Sequence, residues 1–285
     1  MTARTDQMMG PQGTPLPRRS IWIAQALTIA GLIAYVLLVQ VLAPSLQEPG
    51  RRAGVGVGLL LALVPAALWL ALFYVQDARE PEPLGYVVRV ALAGAVLGGA
   101  IVLPVVQRVF ASAGWVNAGP LIGLLESILI VGALQEFCVY LAVRFTVYEV
   151  SEFDEVADGV TYGTAAGVGL ATVLNLWWVL NSPSIAPVPA ALWIVVTTLA
   201  QAAFGGVLGF FLGRAKILGE HSRVLWGFLI ATLLNGVVTF LLREVSRSGL
   251  TYRPWNGLIV AAVVAAAVTV ILFRAERQRA GGSAA

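Results

Sequence analysis

Histidine and cysteine are almost absent: the 285 residues include only His221 and Cys138 of these types. A lone cysteine cannot form an intrachain disulfide, and it says nothing of the redox compartment. A catalytic zinc site generally takes about three protein ligands, commonly including histidine. The one histidine lies in the polar stretch Glu220-His221-Ser222-Arg223, where it reads as a solvated surface group, and no HExxH occurs. The same scarcity excludes a Ser–His dyad inside an apolar run, and GxSxG is missing too. Charge is equally thin, with 12% Asp, Glu, Lys and Arg against about 25% in an ordinary soluble domain. The net charge of +3 is spread over short segments with no basic block, so nucleic acid is not an expected partner.

Apolar residues fill the space that charge leaves. They make up 59% of the chain, with a mean hydropathy of +0.85. No globular core could bury that much, so lipid is the solvent for most of the sequence. Residues 1–20 read as a disordered cytoplasmic tail ending in Arg18-Arg19. Ile21–Ala43 is then an apolar run of 23 residues, too long for the roughly 7–15 residues of a signal-peptide core and long enough to cross about 30 Å of hydrocarbon. Further runs predict spans at 54–75, 86–107, 119–147, 158–180, 189–213, 224–242 and 255–273. Membrane strands need only about 10 alternating residues, a pattern these runs lack. The expected fold is therefore all-α: a polytopic helix bundle of about eight transmembrane helices. One transmembrane domain covers 21–273, and a short polar tail covers 274–285. With the N-terminus inside, twelve Lys and Arg fall on the inner side and six on the outer. That count places both termini in the cytoplasm and the protein in the cell membrane.

Small residues recur every four positions in two spans. The fifth has Gly159, Gly163, Gly167, Ala171 and Asn175, and the sixth has Gln201, Gly205, Gly209 and Gly213. Such ridges let membrane helices approach backbone to backbone. Two readings stand: helix packing alone, or packing that also brings Asn175 and Gln201 into one buried polar site.

Polar groups within the spans are few. An ionisable side chain at mid-helix costs roughly 2.5–3.5 kcal/mol on insertion scales, so each is a functional candidate if it has a partner. Glu126 and Glu136 share the fourth span, but ten residues place them about 15 Å apart along the helix, so they are not a pair sharing one substrate. Glu126 reads as a partly hydrated boundary acid. Glu136 is deeper, beside Gln135, and Asn175, Gln201 and Asn235 lie near the middle of the next three spans.

Several segments together resemble the PrsW family, grouped with glutamic-type intramembrane proteases that include the CAAX-processing (Abi) endopeptidases. Phe73-Tyr-Val-Gln-Asp77-Ala-Arg-Glu80-Pro-Glu82-Pro83 is similar to the family's aromatic-x-x-x-D-x-x-E-P-E-P loop. Gln135-Glu136-Phe137 stands where the family carries a double glutamate, followed by a lysine three residues later. Phe153-Asp154-Glu155-Val-Ala-Asp158-Gly159-Val-Thr-Tyr162-Gly163, with Gly167-Val-Gly169, resembles the family's approach to a Glu-Asn pair. Gln201-Ala-Ala-Phe-Gly205 and Leu234-Asn235-Gly236 stand where the family has histidine-led motifs. The resemblance spans about residues 54–242. The departures fall on the chemistry that the family's acids and histidines imply, water activation or metal binding. Gln135, Val139, Leu174, Gln201 and Asn235 replace glutamate, lysine, glutamate and two histidines, while Glu136 and Asn175 remain.

A glutamine keeps the shape and hydrogen bonding of glutamate but not its proton, and an amide cannot shuttle protons as histidine does. The expectation is a PrsW-like pseudoprotease. It would bind a single-span membrane protein client in a polar intramembrane cavity lined by Gln135, Asn175, Gln201 and Asn235, with no metal and no cofactor. Its alternatives are an active intramembrane endopeptidase with Glu136 as general base, a small-solute transporter or channel, and a purely structural membrane protein.

Overall fold

The computed structural model describes residues 30–42, 51–76, 83–110, 119–181 and 187–247. Helices account for their regular structure, and no strand occurs among the described residues. We number the helices α1 (Ala30–Leu42), α2 (Arg51–Gln76), α3 (Leu84–Arg108), α4 (Pro120–Thr146), α5 (Val156–Leu180), α6 (Pro187–Leu218) and α7 (Val224–Arg247). The helices at α3 to α7 are long and apolar enough to cross a membrane, matching the third to seventh predicted spans. Shorter apolar stretches, Ala30–Leu42 and Gly58–Leu68, fall within the first and second. The eighth predicted span, 255–273, and both tails lie outside the described residues.

The ends of these helices follow from sequence. Pro120 opens α4 directly after Gly119, which has φ 102°, a conformation that costs glycine little and other residues much. Gly219 (φ 70°) turns the chain between α6 and α7. At the start of α5 the Asp158 carboxylate accepts the backbone N–H groups of Asp154 (2.9 Å) and Glu155 (2.6 Å). This capping arrangement fixes where the helix begins. The preceding loop is pinned from the other side. Phe153 is buried against Tyr148 and Tyr162, and Lys216 of α6 donates to the Val150 carbonyl at 2.8 Å.

α5 is the central post. Along one face a Cβ built on Gly159, Gly163 or Gly167 would run into the carbonyl oxygen of Gly209, Gly205 or Gln201 on α6. The two glycine ridges therefore meet each other in an antiparallel hairpin. A second face, not singled out in the sequence, packs as closely: a Cβ on Gly169 would strike the Ala91 carbonyl of α3, and one on Gly94 of α3 would strike that of Ala166. α6 is buried along most of its length. The outer helices carry stripes of exposed apolar residues at four-residue spacing: Val88, Leu92 and Val96 on α3, Leu121, Leu125 and Leu129 on α4, and Leu225, Leu229 and Leu233 on α7. Such stripes suit acyl chains and mark the faces turned to lipid.

α4 is not a uniform α-helix. Its turn Ser127–Gly132 is π-helical, and α3 has a π turn at Gly98–Val102 and ends in another that runs on past it, Val106–Phe110. The π turn of α4 lies where α7 crosses it. A Cβ on Gly132 would come 2.6 Å from the Thr232 carbonyl, and one on Gly236 would run into the Ile128 backbone. This crossing sets the depth of the residue next to Gly236, which is Asn235.

Candidate functional site

Three helices bring their polar residues together. Gln135 and Glu136 come from α4 one turn past the π segment, Gln201 from the middle of α6, and Asn235 from the α4–α7 crossing. π turns recur at functional sites, and here the wide turn directly precedes Gln135 and Glu136. Glu136 and Asn235 are fully buried, and Gln135 and Gln201 nearly so.

The side chains bond to one another. Gln201 Nε2 donates to Gln135 Oε1 at 2.7 Å and to Asn235 Oδ1 at 3.4 Å. Asn235 Nδ2 donates to Glu136 Oε1 at 2.8 Å and to Gln201 Oε1 at 3.5 Å. Thr239, one turn further along α7, donates to Asn235 Oδ1 at 3.2 Å. One carboxylate oxygen, Glu136 Oε2, is buried with no partner, as is Thr232 Oγ1 one turn before Asn235. Buried polar atoms are normally paired, so a free carboxylate oxygen here is an available acceptor.

Asn175 stands apart from this group. It donates to Thr198 Oγ1 at 3.2 Å and accepts from Thr197 Oγ1 at 2.8 Å. Those threonines lie about one helical turn before Gln201 on α6. The glycine contact thus brings both amides to the α5–α6 pair, but Asn175 is held by threonines rather than by Gln201 or Asn235. Leu174 and Val139, at the positions where resemblance implies an acid and a lysine, are apolar packing: Val139 is buried in the core and Leu174 packs against it.

The acidic loop motifs lie elsewhere. Asp158 and the N-cap residue Glu155 form the capping box at the start of α5, and Asp154 and Glu155 are exposed to the outside of that turn. Asp77, Glu80 and Glu82 lie outside the described residues. Glu126 is not a hydrated boundary acid. It is buried and paired with Arg243 of α7 at 3.2 Å, and Arg243 also donates to the Gly123 carbonyl at 2.9 Å. Nothing in the sequence ties together two residues 117 positions apart, and Arg243 reads there as part of a loop.

Chemically, the centre can accept and donate hydrogen bonds through amides and can accept a proton at one carboxylate. Among the described residues it has no second titrating group to pass a proton onward.

A family model described as PrsW family intramembrane metalloprotease matches residues 82–272. Among curated proteins, one called Protease PrsW from Geobacillus kaustophilus is 34% identical over 191 residues, covering 66% of this chain and 80% of that protein. Proteins of the same name from Oceanobacillus iheyensis and Bacillus subtilis are 27% and 28% identical, covering 69% and 65% of this chain and 88% and 82% of theirs. No solved structure matches.

The word metalloprotease makes the donor set a test. A catalytic zinc takes about three nitrogen, sulfur or carboxylate ligands from the protein. The centre has one carboxylate, Glu136, and the amide oxygens around it accept hydrogen bonds within the cluster. His221 is exposed in the turn before α7, and Cys138 is buried in the apolar core. Among the described residues no three His, Cys, Asp or Glu side chains group to hold an ion. These residues do not fit the metal that the family description implies. The family assignment itself rests on the model match across two-thirds of the sequence and on the relatives above: the chain belongs to the PrsW family of intramembrane proteases.

Proposed function

We propose that this chain is a PrsW homologue of impaired catalysis, a pseudoprotease that binds the transmembrane segment of a single-span membrane protein at its buried polar centre. One observation carries the reading: among the described residues Glu136 is the only titrating group in a cluster otherwise made of amides and the Thr239 hydroxyl. Peptide hydrolysis needs a base to activate water and an acid to protonate the leaving amine. Glu136 can serve as the first, but Gln135, Gln201 and Asn235 cannot serve as the second. Loss of such partners commonly costs about 10²–10⁴-fold each. Binding needs less. A client helix that unwinds locally exposes N–H and C=O groups, which in hydrocarbon must find partners. Glu136 Oε2 is a free acceptor for such an N–H. By the count of basic residues, the protein sits in the cytoplasmic membrane with both termini inside.

The same free oxygen favours one alternative, an active endopeptidase in which Glu136 holds and deprotonates a water. Nothing in the fold or the relatives supports the transport reading. Reconstitution with single-span substrates separates the first two. The proposal expects a photo-crosslinker placed beside Asn235 to capture substrate without cleaving it. Cleavage that Glu136→Gln abolishes would establish the endopeptidase instead.

A further inference from the structure

The disagreement between the family's implied metal and the donor set leaves open what joins the helices at the centre. We propose that amide hydrogen bonds do this without any metal ion, and that Asn235 is the hub of a polar cross-link between α4, α6 and α7. Asn235 uses both ends of its amide. Nδ2 reaches Glu136 Oε1 on α4 (2.8 Å) and Gln201 Oε1 on α6 (3.5 Å), while Oδ1 receives Gln201 Nε2 (3.4 Å) and Thr239 Oγ1 (3.2 Å). Gln201 completes the circuit by donating to Gln135 Oε1 of α4 at 2.7 Å.

Two features set this circuit against an ion. The N–H groups of Gln201 and Asn235 point at Gln135 Oε1, Asn235 Oδ1, Glu136 Oε1 and Gln201 Oε1, which leaves Glu136 Oε2 as a single unengaged oxygen, too few to hold an ion without the others. Binding would therefore require those bonds to break, and an amide nitrogen offers no coordination in return. Among the described residues no better ligands are at hand, because His221 lies on the exposed turn before α7 and Cys138 in the apolar core, and no three His, Cys, Asp or Glu side chains group together. Membrane helices have no hydrophobic drive to associate with one another, so interhelical hydrogen bonds and close glycine contacts hold them. At the α4–α7 crossing the two occur side by side, with Gly132 and Gly236 in contact and Asn235 next to Gly236. The cross-link holds whether or not a client is bound or cut, so its test is independent of the proposed function.

The test uses the full chain purified in detergent. Its zinc content is measured, and thermal unfolding is followed with and without 1,10-phenanthroline. The expected result is zinc far below one per chain and a melting temperature indifferent to the chelator. Gln201→Leu and Gln135→Leu should each lower the melting temperature by several degrees, and the double variant should lose less than the sum of the two, because the Gln135–Gln201 bond then leaves neither of its own partners orphaned while Asn235 keeps Glu136 and Thr239. About one zinc per chain, lost in Glu136→Gln and needed for the native melting temperature, would overturn the inference. So would single-variant losses that simply add in the double variant. If the leucine variants fail to fold, the zinc and chelator measurements on the unmodified protein decide alone.

Discussion

At the residue scale, the centre is governed by partner counting in a medium without water. Asn235 is the most exposed to this logic because it serves several partners at once. Asn235→Leu would leave both oxygens of Glu136 buried and unpaired. It should destabilise the fold by about 1–3 kcal/mol, read by denaturant unfolding in mixed micelles. Glu136→Gln should cost much less, since an amide oxygen can still accept from Asn235 Nδ2. A larger loss for Glu136→Gln than for Asn235→Leu would mean that the negative charge itself holds the site. Much of this centre is legible in the sequence, because an isolated Glu136, Gln201 or Asn235 within an apolar run must find a partner. The pairing of Asn175 with Thr197 and Thr198 is not. It depends on a displacement of one turn along α6, set by how two helices cross, and periodicity alone does not carry that. Glu126 is missed for a related reason: its partner Arg243 belongs to a helix that continues beyond the apolar run.

At the element scale, backbone contact through glycine places the polar residues. Gly163 and Gly205 each leave no room for a Cβ against the other's carbonyl. Gly163→Ala should therefore force α5 and α6 apart at a cost of about 1–3 kcal/mol or more. Gly56→Ala makes the matching control. Nothing lies within 4 Å of its Cβ position on α2, so the change should be neutral or stabilising by about 0.5–1 kcal/mol. The four-residue period makes the α5–α6 ridge readable in advance. The second contact, through Gly94 and Gly169 to α3, follows no such period and is visible only in the packed bundle. The same holds for the crossing of Gly132 and Gly236 and for the π turn it accompanies. Across that crossing the Glu126–Arg243 pair ties the far ends of α4 and α7. Arg243→Ala would strand a buried carboxylate and should cost about 3–5 kcal/mol, whereas Arg243→Ala with Glu126→Gln should cost clearly less. Equal losses in the two variants would show that the pair is solvated.

At the scale of the whole molecule, composition alone assigns the chain to the membrane, since so little charge and so much apolar length leave no soluble alternative. Helix number and sidedness depend on segment length and on sparse basic residues. The expected sidedness is open to a direct check. Cys138 is the chain's one cysteine and is buried, so single cysteines added to either tail can be labelled against a low background. Both should react from the cytoplasmic face, and opposite reactivity would require an odd number of spans. The loop before α5 and its glycine hairpin with α6 carry the segments that resemble the family, and the α4–α7 crossing holds Asn235 beside them. Under the proposed function, the reactive groups are what this chain has exchanged. Cleavage of a single-span substrate by the reconstituted protein tests that claim most directly, compared with a variant carrying Gln135→Glu, Leu174→Glu, Gln201→His and Asn235→His. The account predicts no turnover by the native chain and turnover in the variant at least about 10²-fold above that background. Native turnover that disappears on Glu136→Gln would contradict it.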